Sequence, residues 1–229
     1  MSLKVFDLVT CYDAHQNLKN AQEMSAYMRN KFAFFGIKTP ARKLLSKRCL
    51  KDFGEPKSLE DIEQLARDCF AAPQRELQYF VGDWLKPKAK RLSPEILPLL
   101  EELIITKSWW DTVDFLSPSI AGVILAQDSA LWPKFPDRWI SSSNLWLRRA
   151  AILWQLKRKQ ETDDERLFYY CSLCRGEEEF FIQKAMGWAL RERSKTNESS
   201  VHRFLESNQM PPLTEREALK WLRNKGLSN

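Results

Sequence analysis

The stretch Asn144-Leu-Trp146-Leu-Arg148-Arg149-Ala-Ala-Ile152-Leu-Trp154-Gln-Leu156 decides the fold of this protein. Its apolar residues recur with the spacing of an α-helix that buries one face. They are Leu145, Leu147, Ala151, Ile152 and Leu156. A polar Asn144 stands where a helix cap belongs. The stretch therefore predicts a helix whose apolar face needs neighbouring helices to cover it.

Similar helix starts recur along the chain with one period. A first series of polar capping residues is spaced by about 35 residues, or by about twice that distance, and Asp128 stands at the missing position; its members are Ser58, Ser93, Thr162 and Asn197. A second series is spaced by 34 to 36 residues, at Gln74, Ser108, Asn144, Glu178 and Thr214. Two interleaved series with a common period are typical of stacked helix pairs. We call the helices that begin at the first series the first helices, and those that begin at the second series the second helices.

The composition agrees with a helical protein, because 7 glycines and 11 prolines in 229 residues are few for a many-stranded sheet. We predict an all-α helical-repeat solenoid, an α-α superhelix with a concave face, as one domain over residues 1–229. Residues 1–57 are expected to form N-terminal capping helices, one over Asp13–Asn30 and another opening at Thr39-Pro40. Residues 58–229 are expected to form about five helix pairs, the last closing at Gly226.

Basic residues are in excess and follow the same period. Lysine and arginine number 36 against 30 acids, for a net charge of +6 and a pI near 9.0. They cluster near the C-terminal ends of the second helices, at Lys86, Lys88, Lys90, Arg91, Lys157, Arg158, Lys159, Arg191, Arg193, Lys195, Arg223 and Lys225. Any one cluster could simply complement a helix dipole. Repetition at the solenoid period favours a basic rim suited to a nucleic-acid backbone over a solvated face.

Several classes of site and location are disfavoured. The five cysteines are odd in number and scattered, and the Cys171-x-x-Cys174 pair has no second such pair and no nearby histidine. We expect core thiols in a reduced, cytoplasmic chain. No export signal or membrane-spanning stretch is expected, and P-loop, HExxH and GxSxG motifs are absent from the sequence. We expect a monomer without metal or cofactor.

One segment combines aromatic and acidic groups in an unusual way. In Ser108-Trp-Trp110-Asp-Thr-Val-Asp114, the side chains of Trp110 and Asp114 share one helix face. Arg148 and Arg149 follow one period later, and Trp188 one period after those. These groups could meet on adjacent helices. Alternatively, the tryptophans belong to the core, Asp111 caps the helix and Asp114 pairs with a neighbouring arginine.

At these residues the chain resembles the DNA alkylation-repair family, the AlkD-like alkylpurine DNA glycosylases with HEAT-like repeats. The matching strings run in order across nearly the whole chain. They are Met24-Ser-Ala-Tyr27-Met28, Phe35-Gly-Ile37, Pro40-Ala-Arg42, Trp109-Trp110-Asp-Thr-Val-Asp114, Asn144-Leu-Trp146-Leu-Arg148-Arg149-Ala-Ala-Ile152 and Phe180-Phe-Ile-Gln-Lys-Ala-Met-Gly-Trp188-Ala-Leu-Arg191-Glu192.

The resemblance implies a HEAT-like solenoid whose concave face binds DNA, and an active site made from Trp110, Asp114, Arg149 and Trp188. Asp114 would stabilise the sugar cation, the two tryptophans would pack against the deoxyribose, and Arg149 would hold a flanking phosphate. Further DNA contacts are expected from the remaining candidate residues, Tyr27, Arg148, Lys157, Lys159 and Arg191.

The implied activity is a monofunctional glycosylase that hydrolyses the N-glycosidic bond of cationic N3- and N7-alkylated purines in double-stranded DNA. The matching positions hold no lysine nucleophile, so cleavage of the strand is not expected. Two other functions stay open from the residues alone. One is a non-catalytic module that binds nucleic acid, and the other is a scaffold that binds protein.

Overall fold

The computed structural model describes residues 2–224 and 226. These residues form helices, with no strand among them and one isolated β-bridge between Ala33 and Gln74. The α-helices are α1 Val5–Asp13, α2 Leu18–Tyr27, α3 Thr39–Phe53, α4 Leu59–Ala71, α5 Arg75–Leu85, α6 Leu97–Ile105, α7 Trp110–Leu116, α8 Gly122–Leu125, α9 Pro136–Ile140, α10 Leu145–Leu153, α11 Asp164–Leu173, α12 Phe180–Ser194, α13 Glu198–Ser207 and α14 Pro212–Asn224. Short 3₁₀ turns cover Lys86–Arg91, Pro94–Ile96, Ser129–Leu131 and Lys159–Glu161, and a π-helical turn covers Ser117–Ala121.

The predicted all-α repeat fold is confirmed. The second helices α5, α7, α10 and α12 begin at Arg75, Trp110, Leu145 and Phe180, each 35 residues after the one before. The first helices α4, α6, α9, α11 and α13 alternate with them. The concave DNA-binding face stays a prediction.

The helix predicted over about Asp13–Asn30 is present but shorter than predicted, because α2 covers only Leu18–Tyr27 and Asp13 belongs to the preceding helix. α1 ends at Asp13, and Asn17 caps α2 by accepting a hydrogen bond from the amide of Asn20 at 2.9 Å. Arg29 and Asn30 have φ values of 57° and 55°, which a right-handed helix does not allow. The helices of this segment are therefore shorter and more interrupted than its apolar pattern predicts.

The predicted start at Ser108 is displaced by a competing hydrogen bond. Its hydroxyl donates to the carbonyl of Ile104 at 2.8 Å, so this serine belongs to the end of α6. The N-cap of α7 is Trp109, in an extended conformation. The predicted starts at Thr162 and Glu178 each move by one residue, to caps at Asp163 and Glu179.

The last helix starts earlier than predicted, at Pro212, and Thr214 lies inside it. The hydroxyl of Thr214 donates to the carbonyl of Gln183, so it joins two helices and caps neither. The caps predicted at Ser58, Asn144 and Asn197 are confirmed, since each side chain accepts an amide hydrogen bond. Gly226 has a φ of 69° in the turn after α14, as its predicted closing role requires, and Lys225 lies outside the described residues.

The chain divides into two compact units, an N-terminal unit up to Lys88 and a C-terminal unit from Ala89 onward. In the N-terminal unit, the fully buried carboxylate of Glu76 accepts the backbone amides of Phe35, Gly36 and Ile37 at 2.8 to 3.1 Å. These bonds explain how the Phe35-Gly-Ile37 string is held in its loop. The expectation of a single domain over the whole chain stays a prediction.

In the C-terminal unit, α10 packs against α6, α7, α9, α11 and α12, and α12 packs against α13 and α14. Residues about one period apart meet across successive second helices. The Ser117 hydroxyl, for example, donates to the carbonyl of Ala150 at 2.7 Å. Stacking by one period is therefore what brings second helices into register.

The segment from α7 through the π-helical turn to α8 runs very close to the end of α10. A Cβ added to Gly122 would lie 2.1 Å from the carbonyl oxygen of Trp154. We expect Gly122→Ala to lower the free energy of unfolding by roughly 1–3 kcal/mol, because the backbone of one helix would have to move. Thermal denaturation followed by circular dichroism measures this.

The matched control is Gly176→Ala, since an added Cβ there meets nothing within 4 Å. That variant should unfold at or slightly above the wild-type temperature. Equal stability of the Gly122 and Gly176 variants would contradict the close approach.

Four of the cysteines are buried, as predicted for core thiols, and Cys11 is half-buried. Burial raises the pKa of Cys174 to about 11, so its thiol is a poor nucleophile at neutral pH. Within residues 2–224 and 226, no three His, Cys, Asp or Glu side chains are grouped as metal ligands. No helix in this part of the chain is both long and apolar enough to cross a membrane.

Candidate active site

The start of α7 is anchored by aromatic packing. The indole of Trp109 is 8% exposed and lies 5.6 Å from the ring centroid of Trp146 and 4.9 Å from that of Phe181. These three residues, the aromatic cluster, come from three successive second helices. Because Trp109 turns inward, the next residue, Trp110, points to another side of the helix and is only half-buried.

Asp114 and Arg149 form a two-pronged ion pair. The Nε and Nη2 atoms of Arg149 donate to the Oδ1 and Oδ2 atoms of Asp114, at 2.8 Å each. Nη1 of Arg149 donates to the carbonyl of Phe181 at 2.5 Å. The guanidinium therefore links α7, α10 and the first turn of α12. This geometry is the strong form of the arginine–carboxylate contact.

The environment acts on the ionisation of Asp114 in opposite directions. Burial raises the pKa of Asp114 above its ordinary value, and the hydrogen bonds and charge of Arg149 oppose that rise. The nearby carboxylate of Asp111 adds to the rise. Arg149 is thus the group that favours the charged form of a largely buried acid.

The other two predicted site residues lie on the same helices as these contacts. Trp110 is one turn before Asp114 on α7, on the same face. Trp188 is half-buried on α12 and shares a face with Phe181, about 10 Å further along the helix axis. The structure therefore joins Asp114 and Arg149 directly and places a tryptophan on each flanking helix.

Trp188 follows a glycine that allows close helix packing. A Cβ on Gly187 would lie 2.9 Å from the carbonyl oxygen of Thr214 and 2.5 Å from the Cβ of Glu217. α14 therefore lies directly against the Gly187 side of α12. The position of Trp188 depends on this contact, since the two residues are adjacent in the helix.

Tyr27 belongs to the N-terminal unit, where it ends α2 and is 71% exposed. Its expected role as a wall of the active site stays a prediction.

Two of the arginines expected to contact DNA have intramolecular partners. Arg148 pairs with Glu177 and donates to the carbonyls of Ser142 and Ser143. Arg191 donates to Glu217 at 2.8 Å. Their DNA contacts stay predictions, and each would have to share or leave its present partner.

The two candidate lysines are more open. Both are exposed, and Nζ of Lys157 donates to the hydroxyl of Ser119 at 2.6 Å. Lys159 has a φ of 54°, and its carbonyl accepts a hydrogen bond from Arg193 at 2.8 Å. Its ammonium group has no ion-pair partner among the described residues. Lys159 would therefore give up no ion pair to contact a phosphate, and that contact stays a prediction.

The residues that sequence reasoning missed are those that support Asp114 and Arg149. They are the aromatic cluster, the carbonyl of Phe181 and the buried hydroxyl of Ser117. The ion pair itself was not missed, since the predicted alternative that Asp114 pairs with a neighbouring arginine is confirmed. The period also favoured Arg149, because Asp114 and Arg149 are 35 residues apart.

The comparisons identify a family for this chain. A family model described as DNA alkylation repair enzyme matches residues 10–222. A solved structure described as a predicted DNA alkylation repair enzyme from Enterococcus faecalis is 35% identical, with a TM-score of 0.83, and the match covers 90% of this chain and 96% of that one. A search of the curated proteins found no match. The chain, with its helix-pair repeats and its Asp114–Arg149 pair, belongs to the DNA alkylation repair enzyme family.

Proposed function

We propose that this protein is a monofunctional DNA glycosylase that removes cationic N3- and N7-alkylated purines from double-stranded DNA. The observation that carries the proposal is the carboxylate of Asp114, which Arg149 holds at 2.8 Å on the same helix face as Trp110. Membership of a DNA alkylation repair family supports DNA as the substrate. The proposal includes a monomeric, cytoplasmic protein.

The chemistry follows from the charge of the damaged base. Alkylation at N3 or N7 makes the purine cationic, so it leaves without being protonated by the enzyme. The sugar then develops positive charge at its anomeric carbon. A fixed carboxylate stabilises that charge more in the transition state than in the ground state, and it can orient a water molecule for attack.

In this proposal Arg149 is a positioning residue that acts through Asp114. It favours the charged carboxylate and orients both oxygens, while the residue as a whole is 4% exposed. Burial makes it a poor partner for a phosphate in the conformation described. This differs from the phosphate contact that the resemblance implied for it.

The tryptophans would complete the surroundings of the sugar. An indole face attracts positive charge, and each such contact is worth about 0.5–2 kcal/mol. Trp110 and Trp188 are half-buried, and in this proposal a face of each indole packs against the deoxyribose. The four site residues include no amine that could form a Schiff base, so the expected product is an abasic site in an intact strand.

DNA affinity should depend steeply on salt, and Lys159→Ala should lower the magnitude of the log–log slope by about one, as expected for one lost phosphate contact. The reason is that the ammonium of Lys159 is exposed and has no ion-pair partner among the described residues. Fluorescence anisotropy across a salt series measures the slope.

The matched control for this test is Lys134→Ala. Lys134 is an exposed lysine two residues before α9. It should leave the slope unchanged. The same change in slope for both variants would indicate a diffuse effect of net charge, and the phosphate contact of Lys159 would then be withdrawn.

Incubation with methylated DNA tests the function as a whole. Free 7-methylguanine and 3-methyladenine, detected by chromatography together with an unbroken abasic strand, are the expected products. Salt-sensitive DNA binding without base release would favour a non-catalytic nucleic-acid module. The absence of both DNA binding and base release would favour a protein scaffold.

A further inference from the structure

Ser117 lies one turn after Asp114 on the segment that packs against α10. It is fully buried, and its hydroxyl donates to the carbonyl of Ala150 at 2.7 Å. Ala150 directly follows Arg149. This hydrogen bond therefore joins the C-terminal end of α7 to α10, three residues after Asp114 on one side and one residue after Arg149 on the other.

The buried hydroxyl of Thr214 also crosses between two helices, to the carbonyl of Gln183, whereas three other buried or half-buried hydroxyls bond locally. Those of Ser46, Thr106 and Ser108 each donate to the carbonyl four residues earlier in the chain. At Ser117 the carbonyl four residues earlier, that of Val113, accepts the backbone amide of Ser117, as in a regular helix. The hydroxyl instead crosses to the next helix.

The backbone around Ser117 makes this crossing bond important. Pro118 has no amide hydrogen, so it cannot donate to the carbonyl of Asp114 as a regular helix would require. The helix changes to a π-helical turn over Ser117–Ala121, in which the amide of Gly122 donates to the carbonyl of Ser117. The last turn of α7, which carries Asp114, therefore lacks one backbone hydrogen bond of the helix. The bond from Ser117 to Ala150 attaches α7 to α10 at this place.

We propose that Ser117 is a positioning residue, whose bond to Ala150 holds α7 in the register that aligns the carboxylate of Asp114 with Arg149. This inference rests on the proposed function, since the purpose of the alignment is to present a charged carboxylate to the sugar. Small displacements of a catalytic group cost large factors in rate, up to about 100-fold for about 1 Å.

The test is Ser117→Ala in the full-length protein. The single-turnover excision rate at saturating enzyme should fall about tenfold, with DNA affinity within about twofold of wild type. The acid limb of the pH–rate profile should move to higher pH. The reason is that excision needs the charged carboxylate of Asp114. Burial and Asp111 raise the pKa of Asp114, and Arg149 opposes that rise. A misaligned Arg149 would oppose the rise less, so the carboxylate would become charged only at a higher pH.

The control is Ser46→Ala, which removes a buried serine hydroxyl from the N-terminal unit, where it bonds Tyr12 and the carbonyl of Arg42. It should lower the melting temperature while leaving the rate and the acid limb unchanged. If Ser117→Ala does not fold, Ser117→Cys fills nearly the same space with a weaker donor and is measured in the same way.

A wild-type rate and acid limb in the folded Ser117 variant would overturn the inference and leave the proposed function standing. Titration of the Asp114 carboxyl by carbon NMR gives a readout that needs no activity. If wild type releases no base, the proposed function fails, while a raised pKa of Asp114 in the Ser117 variant would still support the alignment. An unchanged pKa in that titration would overturn it.

Discussion

Asp114→Asn is expected to lower the single-turnover rate of 7-methylguanine excision by roughly 100-fold or more, the size of effect seen when one preorganised electrostatic group is removed from an active site. Asparagine has almost the same volume and keeps one oxygen that can accept from Arg149. It loses the negative charge that faces the sugar. DNA affinity should stay within about threefold, because the site adds little to binding of the phosphate backbone.

Asp111→Asn is the matched control, because it removes a carboxylate three residues earlier on the same helix. Its excision rate should stay within about threefold of wild type if Asp114 alone faces the sugar. A melting curve of each variant is needed, since Arg149 stays buried and loses its ionic partner in Asp114→Asn. A wild-type rate in the folded Asp114 variant would remove this residue from the mechanism.

The second large effect concerns the charge of the base that leaves. The proposed site supplies one carboxylate and aromatic planes to the sugar, and no general acid to a poor leaving group. We therefore expect release of 7-methylguanine and 3-methyladenine, which are cationic as nucleosides. Uracil, hypoxanthine and ethenoadenine leave from neutral nucleosides, and they should be released at least about 100-fold more slowly, the lower range of what general acid catalysis contributes.

Chromatography of the bases freed from separately prepared DNA substrates measures this discrimination, with the Asp114→Asn protein as the blank for each substrate. Efficient release of any neutral base by wild type would mean that an acid in the site protonates the leaving group. The central role of Asp114 would then be withdrawn.

Much of the fold was predictable because it depends on short-range periodicity. The apolar face of Leu145–Leu153 follows from the order of residues within one helix. The 35-residue repeat follows from the spacing of successive helix starts along the chain. Helix ends were less predictable, because a hydroxyl such as that of Ser108 can bond to the preceding helix just as well as it can cap the next one.

The partners of the basic residues were not predictable in this way. Arg191 and Arg193 fit a periodic basic rim in the sequence, yet each donates to a carboxylate of another helix, Glu217 and Asp164 respectively. The sequence gives the number and the spacing of these basic residues, whereas helix packing decides which of them stay open to a phosphate.

The two neighbouring arginines show where sequence information ends. By itself the sequence determined the helix that carries Arg148 and Arg149, the position of Asp114 one period earlier and the shared face of Asp114 and Trp110, since all of these follow from the 3.6-residue turn and the repeat length. Only the tertiary structure decided that Arg149 meets Asp114 while Arg148 meets Glu177. The physical reason is that adjacent helix residues point about 100° apart, so the partner of each depends on how far α10 is rotated against α7 and α12, and packing sets that rotation.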